Sequence, residues 1–282
     1  GDEPRIRLFP PTNYLLVRNE ATTSPVGTPP TIIITREHAR NIAVVVGQIA
    51  VDARPDSARQ SLSVEEPPRY ALWLLREALE KRGITIRYRT ALPDRVPEGA
   101  RLIYTHTSLP LREILPLLNK PSDNLVAECL MRTLGAEVHR EGSAAAGERV
   151  MLEFLKGAGL DLTALNIVDG SGLSRRNQVS ARNLVTLLRY MASHPQAKVF
   201  IDSLPVAGVD GTLRNRMVNT PAQGRVRAKT GSLGRVSTLA GYLTTQSGEE
   251  LVFAILMNNY NGSSAEVRRI QDNIVLRLMQ GE

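Results

Sequence analysis

Residues 225–257 read RVRAKTGSLGRVSTLAGYLTTQSGEELVFAILM, and this stretch decides the fold of the C-terminal half of the chain. Three alternating or apolar runs within it are typical of strands: Arg225–Thr230, Val236–Leu243 and Leu251–Met257. Turn-forming residues at Ser232–Gly234 and Gln246–Gly248 separate the runs. Because short turns join consecutive strands, the stretch predicts an antiparallel sheet.

A helix is predicted after the third strand, from about Ser264, since apolar residues there recur at helical spacing. Its apolar stripe consists of Val267, Ile270, Ile274 and Leu278. Hairpins followed by a packed helix favour a mixed α/β lobe with an antiparallel sheet over a doubly wound parallel one.

The N-terminal third shows a different pattern. Strand-like runs lie at Tyr14–Val17, Thr31–Thr35 and Ile42–Val51, and a helix carrying Trp73 as a core anchor follows Pro67. Leu92–Gly99 has the composition of a linker, and a further strand is predicted at Arg101–Thr107. We therefore expect a β-rich domain over residues 1–95 and the α/β domain over residues 96–282.

Composition limits the possible partners. The chain has 282 residues, a formal net charge of +7 and a sequence pI of about 9.8. Such a surface attracts polyanions, but its arginines are spread along the chain, so we expect no nucleic-acid partner and regard an anionic cell-wall polymer as compatible. Four scattered histidines and the single Cys129 predict neither a metal site nor a cofactor.

Two short motifs have the residue types that chemistry needs. Lys120-Pro-Ser-Asp-Asn124 opens an amphipathic helix, and Lys229-Thr-Gly-Ser232 ends a strand. Taken alone, the first resembles a helix cap and the second a strand-to-turn transition. Ser171, between two glycines, favours a tight turn over a nucleophile.

Taken together and in this order, the two motifs resemble two of the three signature motifs of penicillin-binding proteins and active-site serine β-lactamases. Longer blocks narrow the resemblance to one family, the D-alanyl-D-alanine carboxypeptidases and endopeptidases (class C low-molecular-mass penicillin-binding proteins, penicillin-binding protein 4 type). The blocks are Pro110-Leu-Arg-Glu-Ile-Leu, Asn119-Lys-Pro-Ser-Asp-Asn-Leu-Val-Ala-Glu128, Val168-Asp-Gly-Ser-Gly-Leu-Ser174, Leu204-Pro-Val-Ala-Gly-Val-Asp-Gly-Thr-Leu213 and Ala228-Lys-Thr-Gly-Ser-Leu233.

The resemblance implies a serine acyl-transfer site without a cofactor. Ser122 would relay a proton to the leaving amine, Asn124 would bond the substrate amide, and Lys229 would supply positive charge. Thr230 and Ser232 would bind the terminal carboxylate of the substrate. Gly231 would leave room for the substrate along the strand edge. The implied ligands are peptidoglycan stem peptides and β-lactams, and the implied location is the cell envelope or periplasm.

The third family motif, Ser-x-x-Lys, is absent from the sequence. Only five of the 35 basic residues are lysine, and the residues three positions before them are Ala78, Leu117, Glu153, Pro195 and Val226. We therefore expect this chain to lack a nucleophile and to be inactive alone, as the C-terminal portion of such an enzyme. The resemblance implies that residues 1–95 are the C-terminal part of an inserted accessory domain and that residues 96–282 are the C-terminal part of the catalytic domain. Its partner would be the missing N-terminal segment or a second copy. The alternative is a non-catalytic cell-wall binding module with the same fold.

Overall fold

The computed structural model describes residues 1–54, 57–87 and 96–281. They divide into an N-terminal unit, Gly1–Thr105, and a C-terminal unit, His106–Glu282. The linker expected at Leu92–Gly99 and the boundary expected after residue 95 fall largely outside the described residues, so the domain division stays a prediction. Within the described ranges, no helix is both long and apolar enough to cross a membrane.

The N-terminal unit contains a three-stranded sheet and one helix: β1 (Leu16–Ser24), β2 (Ile33–Arg36), β3 (Ile42–Ala50) and α1 (Pro67–Glu80). The strand order is β1–β3–β2, with β1 parallel and β2 antiparallel to the central β3. The expectation for Trp73 is wrong. Its side chain is 40% exposed, and its indole N–H donates to Glu77 Oε1 at 2.9 Å, so a local polar partner keeps it at the surface.

Residues 101–110 form no strand, contrary to the prediction for Arg101–Thr107. Leu102, Ile103 and Tyr104 are 78–88% exposed. A strand needs a neighbouring strand to satisfy its backbone groups. No described strand pairs with this run.

Five α-helices of the C-terminal unit precede its main sheet. They are α2 (Leu111–Asn119), α3 (Asn124–His139), α4 (Ala144–Gly157), α5 (Ala181–Ala192) and α6 (Ala197–Ser203), with the short pair β4 (Leu165–Asn166) and β5 (Gln178–Val179) between α4 and α5. Ser180 caps α5 as its sequence suggests, because its hydroxyl accepts the Asn183 N–H at 3.1 Å.

The predicted antiparallel hairpins and closing helix are confirmed. The elements are β6 (Val226–Leu233), β7 (Val236–Thr244), β8 (Glu250–Asn258) and α7 (Ser264–Gln280), with β7 central in the sheet. One sheet face packs on α7 in a core that includes Val226, Ala228, Leu239, Leu243, Phe253, Val275 and Met279. Helix α5 contacts β7 and β8, and there the Tyr242 hydroxyl of β7 donates to the Leu188 carbonyl of α5 at 2.7 Å. The fold is mixed α/β, as expected.

The predicted stripe of α7 is correct at Val267 and agrees with the core contact of Leu278, but it is wrong at Ile270. Ile270 is 49% exposed, whereas Gln271 is fully buried. The buried face consists of Val267, Gln271, Val275 and Met279. Arg216 donates to the Gln271 Oε1 at 3.2 Å while also pairing with Asp272 at 2.6 Å, whereas the buried Gln271 Nε2 has no hydrogen-bond partner among the described residues.

Candidate active site

The structure brings Ser122 and Lys229 together across 107 residues of sequence. Lys229 Nζ donates to Ser122 Oγ at 2.7 Å and to the Thr230 carbonyl at 2.8 Å. These distances are those of strong hydrogen bonds between an ammonium group and oxygen. The two short motifs therefore share one site.

Ser122 lies in a tight turn between α2 and α3. Its φ is +62°, a left-handed conformation that costs energy for a residue with a side chain. The turn is closed by the Asp123 N–H, which donates to the Leu118 carbonyl at 2.9 Å, and Asp123 then caps α3 by accepting the Val126 N–H at 3.0 Å. The first motif is thus both a cap and the support of the serine.

Asn124 is the first residue of α3 and is exposed. Within the part of the chain that the structure describes, its side-chain amide makes no hydrogen bond. It lies two residues from Ser122, at the same end of the helix, so a ligand lying against Ser122 is within the reach of its side chain.

Lys229 lies on the sheet face opposite the buried Val226 and Ala228 side chains. Because successive residues of a strand alternate between faces, those two residues enter the core while Lys229 points away from it. Burial lowers the pKa of Lys229 below its ordinary value, since partial removal from water disfavours the ammonium form. A lysine with a lowered pKa gives up a proton more readily than an exposed one.

The rest of the second motif lies along the outer edge of β6. This strand continues to Leu233, and its turn is at Gly234–Arg235, so the turn begins two residues beyond the expected start at Ser232. The start of the edge is closed: Ala228 N donates to the Pro205 carbonyl at 3.0 Å, and Ala207 N to the Val226 carbonyl at 3.0 Å. By ladder alternation the Ser232 backbone groups face the same edge, where no described group pairs with them.

Gly231 is required for a reason that the sequence did not reveal. A Cβ at this position would lie 2.4 Å from Thr238 Oγ1 on the neighbouring strand. Gly231 and Thr238 are register partners in the β6–β7 ladder. The glycine therefore avoids a clash across the ladder. The role expected from the sequence, to leave room for the substrate along the strand edge, stays a prediction.

Sequence reasoning assigned no role to Thr212, which contacts the site directly. The Thr230 hydroxyl donates to Thr212 Oγ1 at 2.8 Å. Thr212 belongs to the Leu204–Leu213 block that carried the family resemblance, and that block was the one available signal. Which side chain of the block would reach β6 depends on contacts between distant segments.

The block Val168–Ser174, which also resembles the family, contacts α3, and Arg175 directly after it contacts the β6–β7 turn. Glu128 Oε1 accepts the backbone N–H groups of Gly170 and Ser171 at 3.1 and 3.0 Å. Arg175 donates to the Gly234 carbonyl at 3.0 Å. Ser171 thus contributes backbone groups to a turn, which agrees with the turn interpretation. Among the described residues, no cluster of three His, Cys, Asp or Glu side chains could hold a metal ion.

The lysine of β6, bonded to a serine at the start of a helix in a mixed α/β lobe, is the arrangement that the resemblance to penicillin-binding proteins implies. The chain belongs to the D-Ala-D-Ala carboxypeptidase 3 (S13) family, whose model matches residues 1–280. The resemblance drawn from the five sequence blocks is confirmed.

Curated relatives agree with this assignment. A D-alanyl-D-alanine carboxypeptidase of Actinomadura sp. is 38% identical over 288 residues, covering 99% of this chain and 52% of that protein. The carboxypeptidase DacB of Haemophilus influenzae is 32% identical, covering 81% of this chain and 48% of that protein. The chain spans about half the length of these relatives.

Solved structures show the same fold. Penicillin-binding protein 4 of Haemophilus influenzae, complexed with a β-lactam, matches with a TM-score of 0.75 and 28% identity, covering 94% of this chain and 63% of that one. A predatory endopeptidase of Bdellovibrio bacteriovorus, solved with its immunity protein, has a TM-score of 0.53 at 24% identity and shares the fold.

Proposed function

We propose that this chain supplies the Ser-Asp-Asn and Lys-Thr-Gly side of a serine D-Ala-D-Ala carboxypeptidase or endopeptidase site that acts on peptidoglycan stem peptides in the cell envelope. The observation that carries the proposal is the 2.7 Å contact between Lys229 Nζ and Ser122 Oγ. Family membership supports the reaction class.

The reaction has two acyl-transfer steps. A serine hydroxyl attacks the carbonyl between the two D-alanines, the C–N bond breaks, and the leaving amine of D-alanine takes up a proton. The attacking hydroxyl gives up its proton to a base, and Ser122 can donate a proton to the leaving amine while it takes one from Lys229 through their 2.7 Å contact. Water then hydrolyses the acyl-serine ester. A β-lactam acylates the same serine because its strained amide presents an equivalent carbonyl.

Substrate binding uses the free edge of β6. A peptide lying along this edge pairs with the Ser232 backbone groups by strand addition, while the Asn124 amide bonds the peptide from the helix side. The Thr230 and Ser232 hydroxyls face the terminal carboxylate. Thr212 supports this role, since its hydroxyl is 2.8 Å from that of Thr230 and can orient it.

The attacking serine has to come from elsewhere, because the sequence contains no Ser-x-x-Lys. Losing a nucleophile and its base together costs on the order of 10⁶ in rate. We therefore propose that the 282-residue polypeptide alone neither hydrolyses D-Ala-D-Ala peptides nor becomes acylated.

The test is hydrolysis of a synthetic peptide ending in D-Ala-D-Ala. The chain is co-expressed with a segment from the part of the Actinomadura relative that the match does not cover, chosen to contain a Ser-x-x-Lys, and assembly is verified by size-exclusion chromatography. The assembled pair should release D-alanine, and Ser122→Ala should lower kcat by roughly 10²–10⁴-fold. Ser193→Ala is the control, since that exposed hydroxyl only donates locally to the Tyr190 carbonyl at 3.0 Å. An assembled pair without activity, or a Ser122→Ala variant with full activity, would contradict the proposal.

A second candidate function is a cell-wall binding module. The missing Ser-x-x-Lys and the net charge of +7 favour it. It predicts that the chain alone sediments with purified peptidoglycan in a salt-sensitive manner. Sedimentation combined with an inactive assembled pair would favour this second function over the first.

A further inference from the structure

The loop formed by residues 204–212 holds the residue two positions before Ser122 at two separate points. Lys120 Nζ donates to Asp210 Oδ2 at 2.5 Å and to the Leu204 carbonyl at 3.3 Å. The Lys120 carbonyl, in turn, accepts the Thr212 N–H at 3.0 Å. The side chain and the main chain of Lys120 are therefore both attached to this loop.

The same loop is attached to the strand that carries Lys229. Its Pro205 carbonyl and Ala207 N–H pair with the backbone of β6, each at 3.0 Å. Asp210 fixes the loop from within, since its Oδ1 accepts the Val206 N–H at 2.9 Å. A continuous chain of bonds therefore runs from the Ser122 turn through Lys120, Asp210 and the loop to β6.

The geometry at Ser122 needs such support. A residue with a side chain held at a φ of +62° is strained, and strain of this kind persists only where the surroundings impose it. The loop also packs closely on the turn: a Cβ at Gly211, whose φ is +57°, would lie 2.7 Å from the Lys120 carbonyl oxygen. Close packing and the ion pair act on the same short segment.

The environment of Asp210 favours its carboxylate form. The side chains of Lys120 and Asp210 are 26% and 32% exposed. Partial burial raises the pKa of Asp210, but the hydrogen bonds from Lys120 and from the Val206 amide outweigh it and leave the pKa below its ordinary value. Removing either partner leaves a half-buried charge without compensation.

We propose that Lys120 and Asp210 are positioning residues whose ion pair holds Ser122 against Lys229. Neither has to touch the substrate, because both act through the turn and the loop. The inference rests on the proposed function for its catalytic meaning, but the contact that it explains lies entirely within this chain.

The low lysine count provides the test. With five lysines in the chain, isotope labelling of lysine gives five side-chain signals, and Lys→Arg variants assign them. In Lys120→Met and in Asp210→Asn, the NMR chemical shift of the Lys229 side chain (Cε and Nζ) should move toward that of the exposed Lys198. The reason is that Ser122 is no longer held within hydrogen-bond distance of Lys229. Lys120→Arg keeps the charge and should restore the original position of the Lys229 signal.

Lys198→Met is the matched control. It also removes a Lys–Asp contact of 2.5 Å, to Asp202, but its side chain is 88% exposed and, among the described residues, makes no hydrogen bond to the Ser122 turn. The Lys229 signal should stay in place. If Lys120→Met does not fold, Lys120→Gln removes the charge and keeps a donor for the same comparison.

An unshifted Lys229 signal in a folded Asp210→Asn or Lys120→Gln variant would overturn the positioning role. This readout requires no nucleophile and no turnover. If the Lys229 signal shifts as expected but the assembled pair is inactive, only the proposed function is refuted. If the assembled pair is active but the Lys229 signal does not shift in the variants, only the positioning role is refuted.

Discussion

Alanine at Gly231 should weaken the β6–β7 ladder through a single contact. A Cβ there would meet Thr238 Oγ1 at 2.4 Å, well inside van der Waals contact. Threonine is stiff at χ1, so its hydroxyl has few other places to go, and the strands must shift instead. Overpacking of this kind costs about 1–3 kcal/mol. Because Lys229 and Thr230 lie on the same strand, the assembled enzyme should also lose activity.

A double-mutant cycle in urea tests this reasoning. The alanine Cβ would lie 3.8 Å from Thr238 Cβ, an ordinary contact, so Thr238→Ala should relieve the clash. The two changes should therefore couple by about 1–3 kcal/mol. Gly157→Ala is the control, since nothing lies within 4 Å of its Cβ position, and it should be neutral or stabilise α4 by up to about 1 kcal/mol. Equal costs of Gly231→Ala with and without Thr238 would refute the argument.

Three further predictions concern stability measured by urea unfolding. Burial lowers the pKa of Lys229, so the unfolded chain binds that proton more tightly than the folded chain does. The free energy of unfolding of the wild type, relative to that of Lys229→Met, should therefore rise with pH between the lowered pKa and 10.5. A difference that falls with pH would contradict this. Tyr242→Phe loses the 2.7 Å bond to the Leu188 carbonyl and should cost about 1 kcal/mol at neutral pH. Burial raises the pKa of Tyr242 to about 12 from 10.0, so the wild type should lose stability across that interval while the variant does not, and a pH-independent difference would count against it. Ser263→Ala removes the hydroxyl that accepts the Glu266 N–H but keeps the backbone N–H that donates to the Glu266 carboxylate, and it should cost about 1 kcal/mol, whereas no loss would show that α7 does not depend on its cap.

The sheet of the C-terminal unit could be predicted because its information is local. Alternation and turn residues within residues 225–257 define three strands and their order. The register of α7 could not be predicted in the same way. Ile270 is apolar and exposed while Gln271 is polar and buried, and the donor to the Gln271 Oε1 is Arg216, which lies far away in sequence.

The candidate site shows the same division. The motifs around Ser122 and Lys229 were recognisable, and their resemblance to a family predicted that they act together. The supporting contacts are not visible in the sequence, because Lys120–Asp210 spans 90 residues and Thr212–Thr230 joins a loop to a strand. Likewise, Arg101–Thr107 has the composition of a strand, but a strand also needs a partner.

The most direct test of the central claim is the intact mass of the wild-type chain after incubation with a labelled penicillin, alone and assembled with the Ser-x-x-Lys-bearing segment. The claim is that this chain contributes Ser122, Asn124 and Lys229 to an acyl-transfer site whose nucleophile it lacks. We predict that the chain keeps its unmodified mass in both samples and that the adduct, one per complex, is on the added segment. A one-to-one penicillin adduct on the 282-residue chain itself would contradict the account.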